Sequence, residues 1–214
     1  MSDIQQRKLG DLCTVSSSKR IYAHEYVEDG IPFYRSKEVI QKHNGEEINT
    51  ELFISEERYI EIKEKFGAPC SGDMLMTSVG TLGVPYIVRP AEEFYFKDGN
   101  LTWYKDFSDE LDSKFLFYLM DSEDGKELIK TVTIGSSQAA LTIDGMKGLM
   151  VPCPTKEHQK KIVKTLIAYD NLVENNNRRI AILEEMAQRL YREWFVHFRF
   201  PDMRMLRWLI LSLG

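Results

Sequence analysis

From Thr155 to Phe198 the apolar residues keep one strict period. Ile162, Leu166, Tyr169, Val173, Asn176, Ile180, Leu183, Ala187, Leu190, Trp194 and His197 alternate steps of four and three without a slip. That pattern is a heptad seam. With Leu166, Val173, Ile180, Ala187 and Trp194 at a and the others at d, it runs over five heptads with no Gly or Pro. A helix of this length is about 66 Å long at its ordinary rise per residue. Val163, Leu172, Met186 and Tyr191 widen the stripe into a face that needs at least one partner helix. A rod of this kind cannot bury its own apolar side, so it is built to pair.

Its limits are written in the sequence. Pro152 and Pro154 forbid an earlier start, Thr155 can accept a hydrogen bond from the first turn, and Glu157 complements the positive helix end. Pro201 stops it, with Arg189, Arg192 and Arg199 near the negative end. Asn176 is the one short amide in the seam. Burying an amide is costly unless it is paired, so it favours one register over others.

The chain has 214 residues, enough for one ordinary domain and an appendage. Its 43% hydrophobic and 29% charged residues indicate a folded, soluble protein. Residues 1–154 carry 17 Lys and Arg against 26 Asp and Glu, a net of −9, and residues 155–214 carry 11 against 7, a net of +4. Any nucleic-acid contact by the acidic first part must therefore come from a local patch. Cys13, Cys70 and Cys153 form no disulfide framework or CxxC site and fit a reducing cytoplasm. Neither a signal peptide nor a membrane-length apolar run is expected.

Before the rod, short elements are expected in order. Arg7 to Ser18 reads as a first strand and turn, and Ile31 to Tyr34 as a second strand entered from Asp29-Gly30. Ser55 to Lys65 reads as a helix capped by Ser55. Met74 to Met76 is a buried strand, Thr77 to Gly83 a tight loop of small residues, and Val84 to Val88 a returning strand. Phe94 to Tyr104, interrupted by Asp98-Gly99, reads as two strands paired with each other. Helices follow at Ser113–Met120 and Gly125–Thr131, then strands at Leu141–Ile143 and Leu149–Val151. The fold class is thus α/β (α+β): a globular domain at 1–154, a long coiled-coil helix at 155–200, and a tail at 201–214.

No constellation points to catalysis. His24, His43, His158 and His197 are isolated, without HExxH spacing, and there is no phosphate-binding glycine loop or GxSxG elbow. A domain without catalytic groups, tied to a pairing rod, has the composition of a recognition or scaffolding subunit.

The ordered series Lys8-Leu9-Gly10-Asp11-Leu12, Ile31-Pro32-Phe33-Tyr34, Gly72-Asp73-Met74-Leu75, Gly80-Thr81-Leu82-Gly83, Gly135-Ser136-Ser137-Gln138 and Val151-Pro152-Cys153-Pro154 resembles the specificity subunits of type I restriction-modification systems. So does a helix opening on Glu157-His158-Gln159 and ending near Phe195. The resemblance covers residues 7 to about 201 and implies a target recognition domain followed by a spacer helix. Members of that family usually hold two such units in one chain, with antiparallel helices, and read the two halves of an interrupted DNA site. This chain departs from the pattern. It holds one unit, continues after Pro201 into Met203–Leu211 rather than a second domain, and has His158 where an acidic residue is frequent.

The resemblance implies double-stranded DNA as ligand. It also implies a methyltransferase subunit that binds S-adenosylmethionine, and a restriction motor-nuclease subunit, as partners; no cofactor is expected on this chain. The intact seam suggests pairing with itself or with another half-length subunit. In an antiparallel homodimer Val173 faces Leu183 and Ile180 faces Asn176, and the two-fold axis makes the site an inverted repeat. Side-chain chemistry nominates Arg35, Lys37, Ser78, Thr81, Lys97, Lys130, Ser136, Ser137 and Gln138 for DNA: cations for guanine or phosphate, the amide for adenine, hydroxyls for phosphate. Lys160, Lys161, Lys164, Arg178 and Arg179 are candidates for a partner or spacer-DNA surface. The rivals are a coiled-coil adaptor that does not bind DNA, which suits the acidic domain, and a truncated competitor of a full-length subunit.

Overall fold

The computed structural model describes residues 4–135 and 139–200. The chain opens with β1 (Gln5–Lys8), α1 (Leu9–Leu12), β2 (Thr14–Ser16), β3 (Tyr26–Val27), β4 (Ile31–Tyr34) and α2 (Ser36–His43). It continues with β5 (Phe53–Ile54), α3 (Glu56–Phe66), β6 (Met74–Thr77), β7 (Pro85–Ile87), β8 (Tyr95–Phe96) and β9 (Leu101–Lys105). The remaining elements are α4 (Ser113–Asp121), α5 (Glu123–Val132), β10 (Thr133–Ile134), β11 (Ala140–Leu141), α6 (Ile143–Gly148), β12 (Met150–Cys153) and α7 (Lys156–Tyr191). Two compact units result, Met1–Lys164 and Thr165–Gly214, so the first turns of α7 belong to the first unit.

Two four-stranded sheets make the centre of the first unit. One has the order β2-β9-β6-β7 and is antiparallel throughout; the other has the order β3-β5-β4-β8, with β4 and β8 parallel. Successive side chains of a strand point to opposite faces, and this divides the core. Phe33 and Tyr95 join Ile21, Ile54, Tyr59 and Ile62 on one side, where α3 packs. Tyr34 and Phe96 join Val39, Leu75, Tyr86, Phe94 and Trp103 on the other. The parallel pair of β4 and β8 is therefore buried on both faces where Phe33-Tyr34 meets Tyr95-Phe96, which its unbroken apolar sequence allows.

Helix starts follow the local capping chemistry. Ser55 Oγ accepts from Arg58 N (3.2 Å), Asp112 from Lys114 N (3.0 Å) and Ser122 Oγ from Gly125 N (3.1 Å). Gly125 is required where α4 turns into α5, since a Cβ there would lie 1.9 Å from the Leu119 carbonyl oxygen.

Several expectations are corrected. A helical turn, α1, interrupts the first expected strand because Leu9 and Leu12 both point into the core. The strand expected at Leu141–Ile143 stops at Leu141, because the Thr142 hydroxyl accepts from Gly145 N (3.0 Å) and starts α6. Strands β8 and β9 do not pair with each other: β8 lies parallel to β4, and β9 lies between β2 and β6. Helix α2 follows β4 directly where no helix was expected. The long helix ends earlier than Phe198. It closes with a π turn at Arg192–Val196, where His197 N donates to Arg192 O (2.8 Å) and Arg199 N to Glu193 O (2.7 Å), and Phe198 takes a positive φ of 53°.

The start of α7 is anchored by one side chain. Gln159 is fully buried; its Nε2 donates to the carbonyls of Glu110 (2.7 Å) and Pro154 (2.8 Å), and its Oε1 accepts from Asp112 N (2.8 Å). Val163, one turn on, is also buried. The ribbon of β1 and β12 runs antiparallel into this junction, pairing Gln5 with Cys153.

Beyond residue 164 the helix presents its seam to solvent. Tyr169, Val173, Ile180 and Leu183 are 64%, 57%, 53% and 63% exposed, although they are large apolar residues on one stripe. Asn176, Ala187 and Leu190 are exposed with them, as is Ile162 nearer the start, while Leu166 and Trp194 are half-buried. Among the described residues no helix is long and apolar enough to cross a membrane.

Candidate nucleic-acid interface

Three of the nominated residues, Arg35, Ser78 and Lys97, lie on segments that meet at one turn. Asp98-Gly99 reverses the chain after β8, and Gly99 supplies the positive φ of 72° that such a turn needs. Lys97 N donates to Tyr34 O (2.8 Å), which sets Lys97 beside the end of β4 and hence beside Arg35. Asn100 O accepts from Ser36 Oγ (3.4 Å) and from Ser78 N (2.8 Å), so the first turn of α2 and the end of β6 meet there as well. Ser78 O in turn accepts from Leu141 N (3.0 Å), and Val79 bridges Ala140, which joins the β10–β11 hairpin to the same edge. Elements far apart in sequence thus converge on four residues, Lys97 to Asn100.

The nominated cations nearest this turn differ in setting. Lys37 is exposed on the first turn of α2, and Lys97 is half-buried at the turn itself. Arg35 is held by Glu38, with Nη2 2.9 Å from Oε1 and the Arg35 backbone N 2.8 Å from Oε2. Burial alone would raise the Glu38 carboxyl, but the Arg35 guanidinium and backbone N–H groups outweigh it and hold it below the ordinary carboxylate value. Arg35 therefore neutralises a buried acid and shapes the start of α2, with its side chain still 31% exposed.

Ser78, nominated as an exposed hydroxyl, is buried. Its side chain lies inside, 3% exposed, with Oγ 2.6 Å from the Thr102 hydroxyl, because the end of β6 is buried between neighbouring strands. Thr81 is exposed on the loop that follows. That loop is pinned by the buried Thr77, whose hydroxyl donates to Thr81 O (2.5 Å) and accepts from Val84 N (2.9 Å). Lys130 lies on α5, one turn before the hairpin, and pairs with Glu127 at 2.5 Å. Ser136, Ser137 and Gln138 lie outside the described residues, as does the expected tail at 201–214.

Two cations at this edge escaped the sequence reading. Ser18 Oγ donates to Phe96 O (2.7 Å), Lys19 N to the Tyr95 hydroxyl (2.7 Å), and Arg20 Nε to Asp98 at 2.7 Å. The run Ser17-Ser18-Lys19-Arg20 directly after β2 is the signal that could have found them. Lys19, Arg20, Arg35, Lys37 and Lys97 thus lie on segments that meet at this edge of an otherwise acidic unit, with Arg20 paired to Asp98 and Arg35 to Glu38. Among the described residues no group of three or more His, Cys, Asp or Glu could hold a metal ion.

Comparison with known proteins bears on the family and the fold. The family model of the type I restriction modification DNA specificity domain matches residues 1–185. S.HindORF215P of Haemophilus influenzae, named as a type I restriction enzyme specificity subunit, is 26% identical over 195 residues, covering 89% of this chain and 47% of its own. The type I restriction enzyme MjaIX specificity subunit of Methanocaldococcus jannaschii is 34% identical over 86 residues, or 40% of this chain and 20% of its own. The crystal structure of a type I restriction-modification S subunit from M. genitalium has the same fold, with a TM-score of 0.63 at 17% identity over 99% of this chain and 50% of that one. The chain thus spans about half the length of the relatives it matches most fully.

Proposed function

The chain belongs to the type I restriction-modification DNA specificity family, and from that premise we propose that it reads one half of an interrupted DNA site and pairs with a second copy to read the other. Family members are non-catalytic specificity subunits, so the chemistry on DNA falls to other chains. A methyltransferase subunit carrying S-adenosylmethionine modifies the site, and a motor-nuclease subunit cuts; the exposed cations of α7, such as Lys160, Lys164, Arg178 and Arg179, are the candidate platform for them.

The observation that carries the pairing is the exposed seam. Tyr169, Val173, Ile180 and Leu183 line one stripe of α7 and are each more than half exposed, a pattern that costs solubility unless a second helix covers it. Antiparallel pairing sets a position against d position all along the rod, Leu166 against Leu190 and Ala187 against Tyr169 among them. It relates the two recognition units by a two-fold axis, which makes the preferred site an inverted repeat with an unread gap. DNA reading is supported by the basic edge around Lys97–Asn100, where Lys37, Lys97 and Thr81 are the direct candidates and Lys19 and Arg20 suit phosphate.

Selection of bound duplexes from a random-sequence library tests this function. Enrichment of an inverted repeat with a fixed gap is the expected result. Recovery of no common motif would reject sequence reading and restore the adaptor.

A further inference from the structure

The backbone on either side of Arg20 is held at several points. Before it, Ser18 Oγ donates to Phe96 O (2.7 Å) and Lys19 N to the Tyr95 hydroxyl (2.7 Å). Directly after it, Ile21 is 6% exposed and belongs to the core cluster of Phe33, Ile54 and Tyr95. One residue further, Tyr22 N donates to Glu25 Oε2 (2.7 Å), and Glu25 is itself paired with Arg58 at 2.8 Å. Arg20 thus leaves the surface from a rigid base.

Asp98 fixes the side chain as well. Its carboxylate accepts from Arg20 Nε at 2.7 Å, with the arginine side chain 65% exposed and the aspartate only 17%. The turn that carries Asp98 is set in place on both flanks, by Lys97 N on Tyr34 O (2.8 Å) and by Ser78 N on Asn100 O (2.8 Å). An ion pair with so exposed a member adds little to stability, so what it provides is direction. The bond engages Nε, and among the described residues no other group bonds to the guanidinium. Nη1 and Nη2 remain, two donors on one rigid plane.

A fixed fork selects its ligand. A phosphate can be met by any exposed cation and needs no orienting partner. In the major groove, guanine presents two acceptors side by side, O6 and N7, which two parallel N–H donors match; adenine, cytosine and thymine each lack that pair. Holding the fork beforehand also spares the rotamer freedom that a loose arginine would lose on binding.

Resting on the DNA reading above, we infer that Arg20 recognises one guanine of the half-site through O6 and N7, with Asp98 as its positioning residue. This fixes one base of the site in each half of a symmetric dimer.

The test uses the duplex motif recovered by selection, with each guanine replaced in turn by 7-deazaguanine, which lacks N7 and still pairs with cytosine. One guanine per half-site is expected to matter. Its replacement should weaken binding of the wild-type protein roughly fivefold in one half and roughly thirtyfold in both, the worth of one bond of a bidentate pair per half. The Arg20→Lys variant keeps the charge and loses the fork, so it should bind the guanine and 7-deazaguanine duplexes equally, with an unchanged melting temperature. The Asp98→Ala variant, in which the fork is free to turn, should show a smaller difference than the wild type. A motif without guanine, a wild-type protein indifferent to every replacement, or an Arg20→Lys variant with wild-type discrimination would each overturn the inference while leaving DNA reading intact. Full discrimination by Asp98→Ala would overturn the positioning role. Failure of the wild-type protein to select any motif is the separate result that removes the DNA reading itself.

Discussion

Replacing Ile180 with glutamate should convert the protein from a dimer to a monomer. In the antiparallel register Ile180 faces Asn176 of the second copy, and symmetry repeats the layer, so one substitution introduces two carboxylates near the middle of the seam. Each would lose water with only an amide opposite it, at an effective cost of several kcal/mol per buried ion. Even about 4 kcal/mol in total raises the dissociation constant roughly a thousandfold. Ile180 is 53% exposed in the single chain, so the fold of one copy should be untouched. Light scattering at micromolar concentration should give a mass near the 24.9 kDa of one chain for the variant and twice that for the wild type, with unchanged helical content. Equal masses for the two proteins would contradict pairing through this face.

Replacing Gln159 with leucine should give the largest loss of stability of any single change at the base of the rod. The side chains are similar in size, but leucine leaves the Glu110 and Pro154 carbonyls and the Asp112 N–H without the partner that the fully buried Gln159 gives them. Each buried group left unsatisfied costs about 1–3 kcal/mol, so roughly 3–5 kcal/mol is at stake. In a unit of this size that corresponds to a fall in melting temperature on the order of 10 °C. Calorimetry of the full chain measures it, and a fall of no more than about 2 °C would mean that Val163 and the β1–β12 ribbon hold the junction without Gln159.

The sequence disclosed those features that depend on near neighbours. The rod was legible because its period repeats over five heptads, α3 because Ser55 caps it, and α4 because its apolar residues are spaced as on one helix face. The partners of β8 and β9 were not legible, since parallel pairing with β4 depends on which cores Tyr95 and Phe96 fill. Helix α2 was missed because its start is made by the ion pair of Arg35 with buried Glu38 rather than by a capping hydroxyl. The same limit applied to the site. Lys37 and Lys97 could be nominated by charge, but whether Ser78 pointed outward was decided by Thr102, 24 residues away. Lys19 and Arg20 gained their place only through Tyr95, Phe96 and Asp98.

Paired with itself, this chain should direct methylation to a symmetric interrupted site. The test is to co-express it with its methyltransferase subunit and to map methylated adenines across the host genome against a control with the methyltransferase alone. The predicted result is a single inverted-repeat motif with a fixed unread gap, absent from the control. Methylation no different from the control, or a bipartite motif with two unlike halves, would contradict it.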